Sequence, residues 1–119
     1  MTTITKFCDI IAWQKAHKLV LKVYKTTKYF PKEELYAITS QIRRASTSIA
    51  ANIVEGFYRK TKKDRLRFYE IAMSSLEETK YFILLSKDLE YITITEARNL
   101  YKIANELGKV LRGWIKIQN

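Results

Sequence analysis

Basic side chains are the most abundant groups in this sequence that could take part in binding chemistry. The 119 residues include 22 Lys and Arg against 12 Asp and Glu, a formal net charge of +10. Between Ile10 and Lys32 there are six lysines and no acidic residue, and the segment 59–67 adds six basic residues against Asp64 alone. Cations at this density favour polyanions such as RNA and DNA, because bound phosphates release their counterions.

Candidates for enzyme chemistry are few. His17 is the only histidine, and it falls on the apolar side predicted for the first helix. We predict a buried or half-buried histidine with one hydrogen-bond partner and not a catalytic base, because no nucleophile is placed beside it. Cys8 is the only cysteine, so it has no disulfide partner and no second thiol to share a metal.

The paired glutamates do not form a carboxylate site. Adjacent helical residues point about 100° apart, so neither Glu33-Glu34 nor Glu77-Glu78 shares one site. The sequence has no Glu-x-x-His pair for a di-iron centre, and its 3 glycines do not form a phosphate-binding loop. We therefore predict no enzyme activity, no catalytic residue, no metal and no cofactor.

The same composition limits the fold and the compartment. The 3 Gly and 1 Pro argue against a turn-rich β-sandwich or barrel, and 47% hydrophobic residues argue against a disordered tail. The length fits one domain over residues 1–119. A single cysteine and the lack of an apolar run of about 18 residues predict a cytoplasmic protein with no membrane partner.

Four helices account for the hydrophobic pattern. Pro31 is expected to end the first helix near Phe30, and Thr61 and Thr93 are each followed three residues later by an acid, as in a capping box. We predict helices over 10–29, 34–58, 62–88 and 94–117. Their short links favour an all-α, antiparallel, up-down four-helix bundle.

The first and fourth predicted helices each carry a basic stripe opposite an apolar side. The apolar side of the first helix comprises Trp13, Ala16, His17, Val20, Val23 and Tyr24. The predicted nucleic-acid-binding residues are Lys15, Lys18, Lys22 and Lys25 on the first helix and Arg98, Lys102, Lys109, Arg112 and Lys116 on the fourth. Because these two helices are neighbours in an up-down bundle, we expect the stripes to merge into one surface.

The two middle helices carry more apolar surface than one core requires. The second has an inward seam of Leu35, Ile38, Ile42, Ile49 and Ile53, yet its opposite side is lined mainly by small residues. The third is apolar over more than half its circumference. A bundle core covers a stripe little more than 100° wide, so the excess predicts self-association through these helices.

One stretch resembles a known family. The run from Gln41 to Gly56, with Trp13–Ala16, Phe30–Glu34, Ser75–Glu78 and Leu89–Ile92, is similar to the four-helix bundle proteins of the 23S rRNA intervening-sequence family. That name records reading frames within intervening sequences of bacterial 23S rRNA genes. The resemblance covers about residues 7–115 and implies an antiparallel four-helix bundle that assembles as a homopentamer.

The resemblance extends more distantly to the accessory variability determinants of diversity-generating retroelements. Those proteins share the architecture, and their positively charged surface engages a reverse transcriptase and nucleic acid. The partners implied are therefore further copies of this chain, RNA or DNA, and a nucleic-acid enzyme.

Arg43, Arg44, Asn52 and Glu55 lie within the family-like run. Their small neighbours favour a structural network, or a subunit interface, that fixes helix register. A phosphate-binding site is the alternative.

Two functions stay open at this point. The first is a basic, homo-oligomeric module that binds RNA or DNA through phosphates without strong sequence preference. The second is a structural or protein-interaction scaffold with no intrinsic nucleic-acid binding.

Overall fold

Four α-helices make up most of the structure, a computed structural model that describes residues 3–118. They are α1 (Ile11–Thr27), α2 (Ile38–Phe57), α3 (Lys62–Asp88) and α4 (Ile94–Lys116). Two short 3₁₀ turns, Phe7–Asp9 and Lys32–Glu34, precede α1 and α2. Residues 3–118 contain no strand, and the prediction of an all-α four-helix bundle is confirmed.

Threonine caps begin α3 and α4 at the predicted positions. The backbone N–H of Asp64 donates to Oγ1 of Thr61 at 3.2 Å. At α4 the exchange is reciprocal: the Glu96 N–H donates to Thr93 Oγ1 at 3.1 Å, and the Thr93 N–H donates to the Glu96 carboxylate at 2.9 Å. Each bond satisfies an amide that has no partner within its helix, so these two starts are fixed locally.

The start of α2 differs from the prediction. The segment after Pro31 forms a 3₁₀ turn, and Ala37 has φ −122° and ψ −110°, outside the helical region. The α-helix therefore begins at Ile38 and not near residue 34. Leu35 lies before the helix and is 46% exposed, so its assignment to the inward seam is wrong.

All four helices contribute to one apolar core. Its largest fully buried aliphatic side chains are Ile10, Leu19, Val23, Ile42, Ile49, Ile53, Leu76, Ile83, Leu100, Leu107 and Leu111. The helix α1 packs on α2 and α4, and α3 packs on the same two helices. Among the described residues, the diagonal pairs α1–α3 and α2–α4 do not approach each other. The helices therefore form a ring in chain order.

The direction of α3 relative to α2 follows from two contacts. Near the middle of both helices, the Ser48 and Ser75 hydroxyls lie 2.8 Å apart. Further along α2, the buried Gly56 faces the ring of Tyr69, which comes earlier in α3. Since the contacts advance in one helix and go back in the other, α2 and α3 are antiparallel.

The helix α4 reverses relative to α3 in the same way. In α4, Gly108 lies beside Leu76 of α3, whereas the later Trp114 lies edge-on to the earlier Tyr69. The last residue of α1, Thr27, is bonded to Arg43 in the first half of α2. The chain therefore also turns back between α3 and α4, and the end of α1 lies beside the first half of α2.

The buried face of α1 is rotated from the predicted one. The residues of α1 that are buried are Ala12, Ala16, Leu19, Val23 and Thr27. Of the predicted apolar side, His17 is exposed and Tyr24 is 44% exposed. The two faces differ by about 60° around the helix, because aromatic residues on one flank dominate a hydrophobic projection.

The contact between Gly56 and Tyr69 yields a stability prediction. A Cβ atom at Gly56 would lie 2.5 Å from Cε1 of the buried Tyr69 ring, which has no room to move away. We expect Gly56→Ala to destabilise the fold by about 1–3 kcal/mol, measured as a fall in thermal midpoint of about 5–10 °C.

Gly113 provides the matched control. A Cβ there meets nothing within 4 Å. Gly113→Ala should therefore be neutral or stabilise α4 by about 0.5–1 kcal/mol. Equal effects of the two substitutions would contradict the packing described.

Candidate nucleic-acid interface

The lysine stripe of α1 lies on one flank of the helix. Lys18, Lys22 and Lys25 are exposed, and Lys15 is half-buried. Spacings of three and four residues align these side chains along the helix axis, which gives a continuous row of positive charge.

The basic stripe of α4 is fully exposed. Its members are Arg98, Lys102, Lys109, Arg112 and Lys116. Arg112 folds back toward its own helix: its Nη1 lies 3.3 Å from where a Cβ of Gly108 would be. The missing side chain of Gly108 thus makes room for the guanidinium. The other four cations point away from the core.

None of these nine cations is neutralised by a carboxylate of the described chain. Residues 3–118 contain three ion pairs: Glu55 with Arg59 at 2.9 Å, Glu77 with Lys80 at 3.2 Å and Asp88 with Lys87 at 3.5 Å. All three pairs lie on or next to α2 and α3. The positive charge of α1 and α4 therefore faces solvent.

An open groove of about 740 Å³ separates α3 from α4. Arg98, Lys102 and Lys109 of α4 line it, facing Ile83, Leu84 and Lys87 of α3. None of the α1 lysines lines this groove. For these three α4 cations, the expected merging with the α1 stripe is therefore wrong, because they are on the flank of α4 that faces α3.

The groove also contains residues that were not among those predicted to bind nucleic acid. Leu84, Ile94 and Tyr101 are exposed apolar side chains, and Asn105 lies one turn beyond Tyr101. Ile94, Tyr101 and Asn105 recur at helical spacing beside the basic stripe. This spacing was the signal in the sequence that could have identified them. These α4 residues line a groove only because α3 forms its opposite wall.

Three arginines in or beside the basic turn between α2 and α3 make contacts within the protein. The guanidinium groups of Arg59 and Arg67 lie 4.7 and 4.8 Å from the centre of the Phe68 ring. Arg65 donates to the backbone carbonyls of Arg59 and Lys60 at 3.4 and 3.1 Å. These contacts help to order the turn, although Arg59, Arg67 and the lysines of the turn are all exposed and only Arg65 is half-buried.

Arg43 ties α2 to α1. Its Nε donates to Oγ1 of Thr27 at 2.9 Å, and its guanidinium lies 4.6 Å from the centre of the Tyr24 ring. Thr27 in turn donates to the carbonyl of Val23 at 2.8 Å. The neighbouring Arg44 is exposed. Arg43 thus bridges α1 and α2, whereas the side chain of Arg44 makes no such contact within residues 3–118.

Asn52 and Glu55 belong to separate local contacts. Asn52 Nδ2 donates to the Ser48 carbonyl at 2.8 Å and its hydroxyl at 3.0 Å, and Ser48 bonds Ser75 of α3. Glu55 accepts from Arg59 one turn further on. Among the described residues these contacts do not join Arg43, Arg44, Asn52 and Glu55 into one network.

The two residues considered for nucleophilic or acid–base chemistry are both at the surface. His17 is exposed and stacks on Trp13, with ring centres 4.9 Å apart and planes within 9°, so its predicted burial is wrong. Cys8 is an exposed free thiol. Within residues 3–118, no three His, Cys, Asp or Glu side chains group closely enough to hold a metal.

Two tyrosines have raised pKa values. Burial raises the pKa of Tyr69, and the Trp114 indole and the Arg65 charge oppose that rise only in part. Partial burial also raises the pKa of Tyr91, and the negative charge of Glu34 adds to it. Both shifts favour the protonated phenol.

A family model described as "23S rRNA-intervening sequence protein" matches residues 8–113. A crystal structure from Bacteroides thetaiotaomicron, described as a protein with unknown function from the S23 ribosomal protein family, is similar with a TM-score of 0.82 and 26% identity. The similarity covers 89% of this chain and 99% of that one. No curated protein sequence matches the chain at the required significance.

Among the described residues, no helix is both long and apolar enough to span a membrane.

Substitutions of the adjacent arginines of α2 test whether Arg43 stabilises the fold or binds phosphate, with Arg44 as the control. Arg43→Gln removes the bond to Thr27 and the contact with Tyr24, so we expect a loss of about 1–2 kcal/mol in urea unfolding. Arg44→Gln removes the same charge at an exposed position and should cost no more than about 0.5 kcal/mol. If Arg43→Gln instead keeps full stability and loses affinity for inorganic phosphate, the phosphate-site alternative is correct.

Proposed function

This chain belongs to the 23S rRNA-intervening sequence protein family, and we propose that it is a non-enzymatic, self-associating module that binds RNA or DNA through phosphates. The observation that carries the proposal is the two basic stripes, one on α1 and one on α4. All nine cations lack a carboxylate partner within residues 3–118, while the acidic partners that do form ion pairs belong to α2 and α3.

The physical argument rests on counterion release. A polyanion that lies along α1 meets several lysines at regular spacing and releases the counterions condensed on its phosphates. Phosphates are the same in every nucleotide, so these contacts carry little sequence information. Weak sequence preference is therefore part of the proposal.

Self-association is the second part of the proposal. Ile71 on α3 is 41% exposed, and Ala51 of α2 and Ser74 of α3 are small exposed residues. Small side chains let a neighbouring helix approach closely, and the apolar Ile71 gains from being covered. The family resemblance implies five copies. At +10 for each chain, five would carry about +50, which strengthens attraction to polyanions.

A protein-interaction scaffold is the competing function. The same cations would then bind an acidic protein or keep the assembly soluble. A nucleic-acid enzyme as partner is compatible with either function, so direct binding of a labelled oligonucleotide is the measurement that separates them.

The α1 stripe gives the first binding prediction. For the wild-type protein, affinity for a labelled RNA should fall about a thousandfold or more between about 50 and 200 mM salt. Combined charge reversal of Lys18, Lys22 and Lys25 to Glu should weaken binding at about 100 mM salt by at least tenfold. It should also reduce the slope of log affinity against log salt concentration by the amount expected for about three phosphate contacts.

The matched control reverses Lys6, Lys28 and Lys32, which are exposed lysines outside the stripe. It changes net charge by the same amount, so it should weaken binding clearly less. Equal losses would show that net charge alone attracts RNA. If the wild-type protein binds no RNA at about 50 mM salt and instead co-purifies with a protein, the scaffold is correct.

Sedimentation velocity tests self-association. We expect the wild-type chain to be oligomeric at micromolar concentration and Ile71→Glu to reduce it to a monomer, because a carboxylate cannot be buried there without a partner. Leu21 of α1 is 58% exposed, and Leu21→Glu should leave the assembly intact. A wild-type monomer would contradict this part of the proposal.

A further inference from the structure

The groove between α3 and α4 combines an apolar floor with a basic rim. Ile83 and Ala97 are buried at its floor, and Leu84, Ile94 and Tyr101 are 41%, 60% and 37% exposed. At about 740 Å³, its size lies within the range of about 300–1,000 Å³ for clefts that hold ligands. Leu84, Ile94 and Tyr101 keep much of their apolar surface in contact with solvent, which an occupant would remove.

The charges of the rim select an anion. Four lining residues are cationic, Lys87, Arg98, Lys102 and Lys109, and Glu106 is the one carboxylate that lines the groove. Lys87 is paired with Asp88 at 3.5 Å, which leaves the three cations of α4 without an ion pair among the described residues. The occupant therefore needs negative charge at the edge and apolar surface toward the floor.

Tyr101 and Asn105 further limit which anionic ligands fit the groove. They are four residues apart on α4, so they share one side of the helix, between the apolar floor and the cations. An aromatic ring supports stacking of a nucleic-acid base, and an amide can both donate to and accept from a base edge. Ring, amide and cations together match the three parts of a nucleotide strand: base face, base edge and phosphate.

This combination discriminates between single and double strands. A duplex keeps the faces of its bases stacked inside and presents phosphates and sugars outward, so it offers no base face to Tyr101. A single strand can place a base in the groove while its phosphates contact the rim. Phosphate contacts alone, as on α1, would accept both forms.

We propose that the α3–α4 groove is a binding site for single-stranded nucleic acid, with a base against Tyr101 and Asn105 and the backbone on Arg98, Lys102 and Lys109. The inference rests on the proposed nucleic-acid function and adds to it the strand form and the residues that select it. It assigns to α4 a contact with bases that the α1 stripe lacks.

The test compares two fluorescein-labelled probes by anisotropy at about 100 mM salt: an unstructured oligouridine of about 12 nucleotides and an RNA duplex of the same length. The wild-type protein should bind the single strand more tightly. Tyr101→Ala should weaken single-strand binding by about 5- to 100-fold and leave duplex binding unchanged. Tyr101→Phe keeps the ring and should retain most of the affinity.

Tyr81→Ala is the control, because Tyr81 is a 56% exposed tyrosine of α3 that does not line the groove. It should bind both probes as the wild-type protein does, and circular dichroism should show the same helical content for all variants. A Lys102→Gln variant should weaken both probes, since it removes a phosphate contact.

The outcomes separate this inference from the proposed function. If both probes bind equally and Tyr101→Ala has no effect, the groove is not a single-strand site, and phosphate binding stands. If neither probe binds at about 50 mM salt, the proposed function itself is wrong. If oligonucleotides fail and a synthetic amphipathic helix rich in Glu and Leu binds in a Tyr101-dependent way, the groove is a peptide site and both proposals are overturned.

Discussion

The close approach of α2 and α3 is the contact on which the rest of the bundle depends. Gly56 has no side chain and lies against the Tyr69 ring, and the Ser48 and Ser75 hydroxyls meet at 2.8 Å. A shift of one helix by a turn, about 5.4 Å, would break both contacts, so they fix the register of the pair. The remaining helices are placed relative to this pair. Leu76 of α3 lies beside α4, and Arg43 of α2 holds the end of α1.

The features predicted best from the sequence are those that depend on residues close together in the chain. The starts of α3 and α4 depend on a threonine and an acid three residues later, so they could be predicted from the sequence alone. The start of α2 could not, because hydrophobic spacing does not distinguish a 3₁₀ turn after Pro31 from the first turn of an α-helix. The face of α1 was misplaced for another reason. Trp13 packs beside Phe7 and His17, and Tyr24 packs beneath Arg43, so these rings occupy a flank and not the centre of the core.

The candidate site divides in the same way. That the basic residues of α1 and α4 are mostly exposed follows from their own helices and was predictable. Which helix each stripe borders depends on the positions of all four helices, and for this reason the groove formed with Leu84 of α3 went unpredicted. Arg43 shows the same limit. Its partner Thr27 is 16 residues away, across a link whose path the sequence does not specify.

The lysine row of α1 also acts before anything touches the protein. Its field extends over about one Debye length, ~8 Å at physiological ionic strength, and no acidic residue between Ile10 and Lys32 opposes it. Under the proposed function, this field would turn an approaching polyanion toward α1 during diffusion and raise the rate of productive encounters. Groups that act only at contact, such as an aromatic ring, change how long a complex lasts. In the proposed complex, charge on α1 would therefore set how quickly a polyanion arrives, and short-range contacts would set how slowly it leaves.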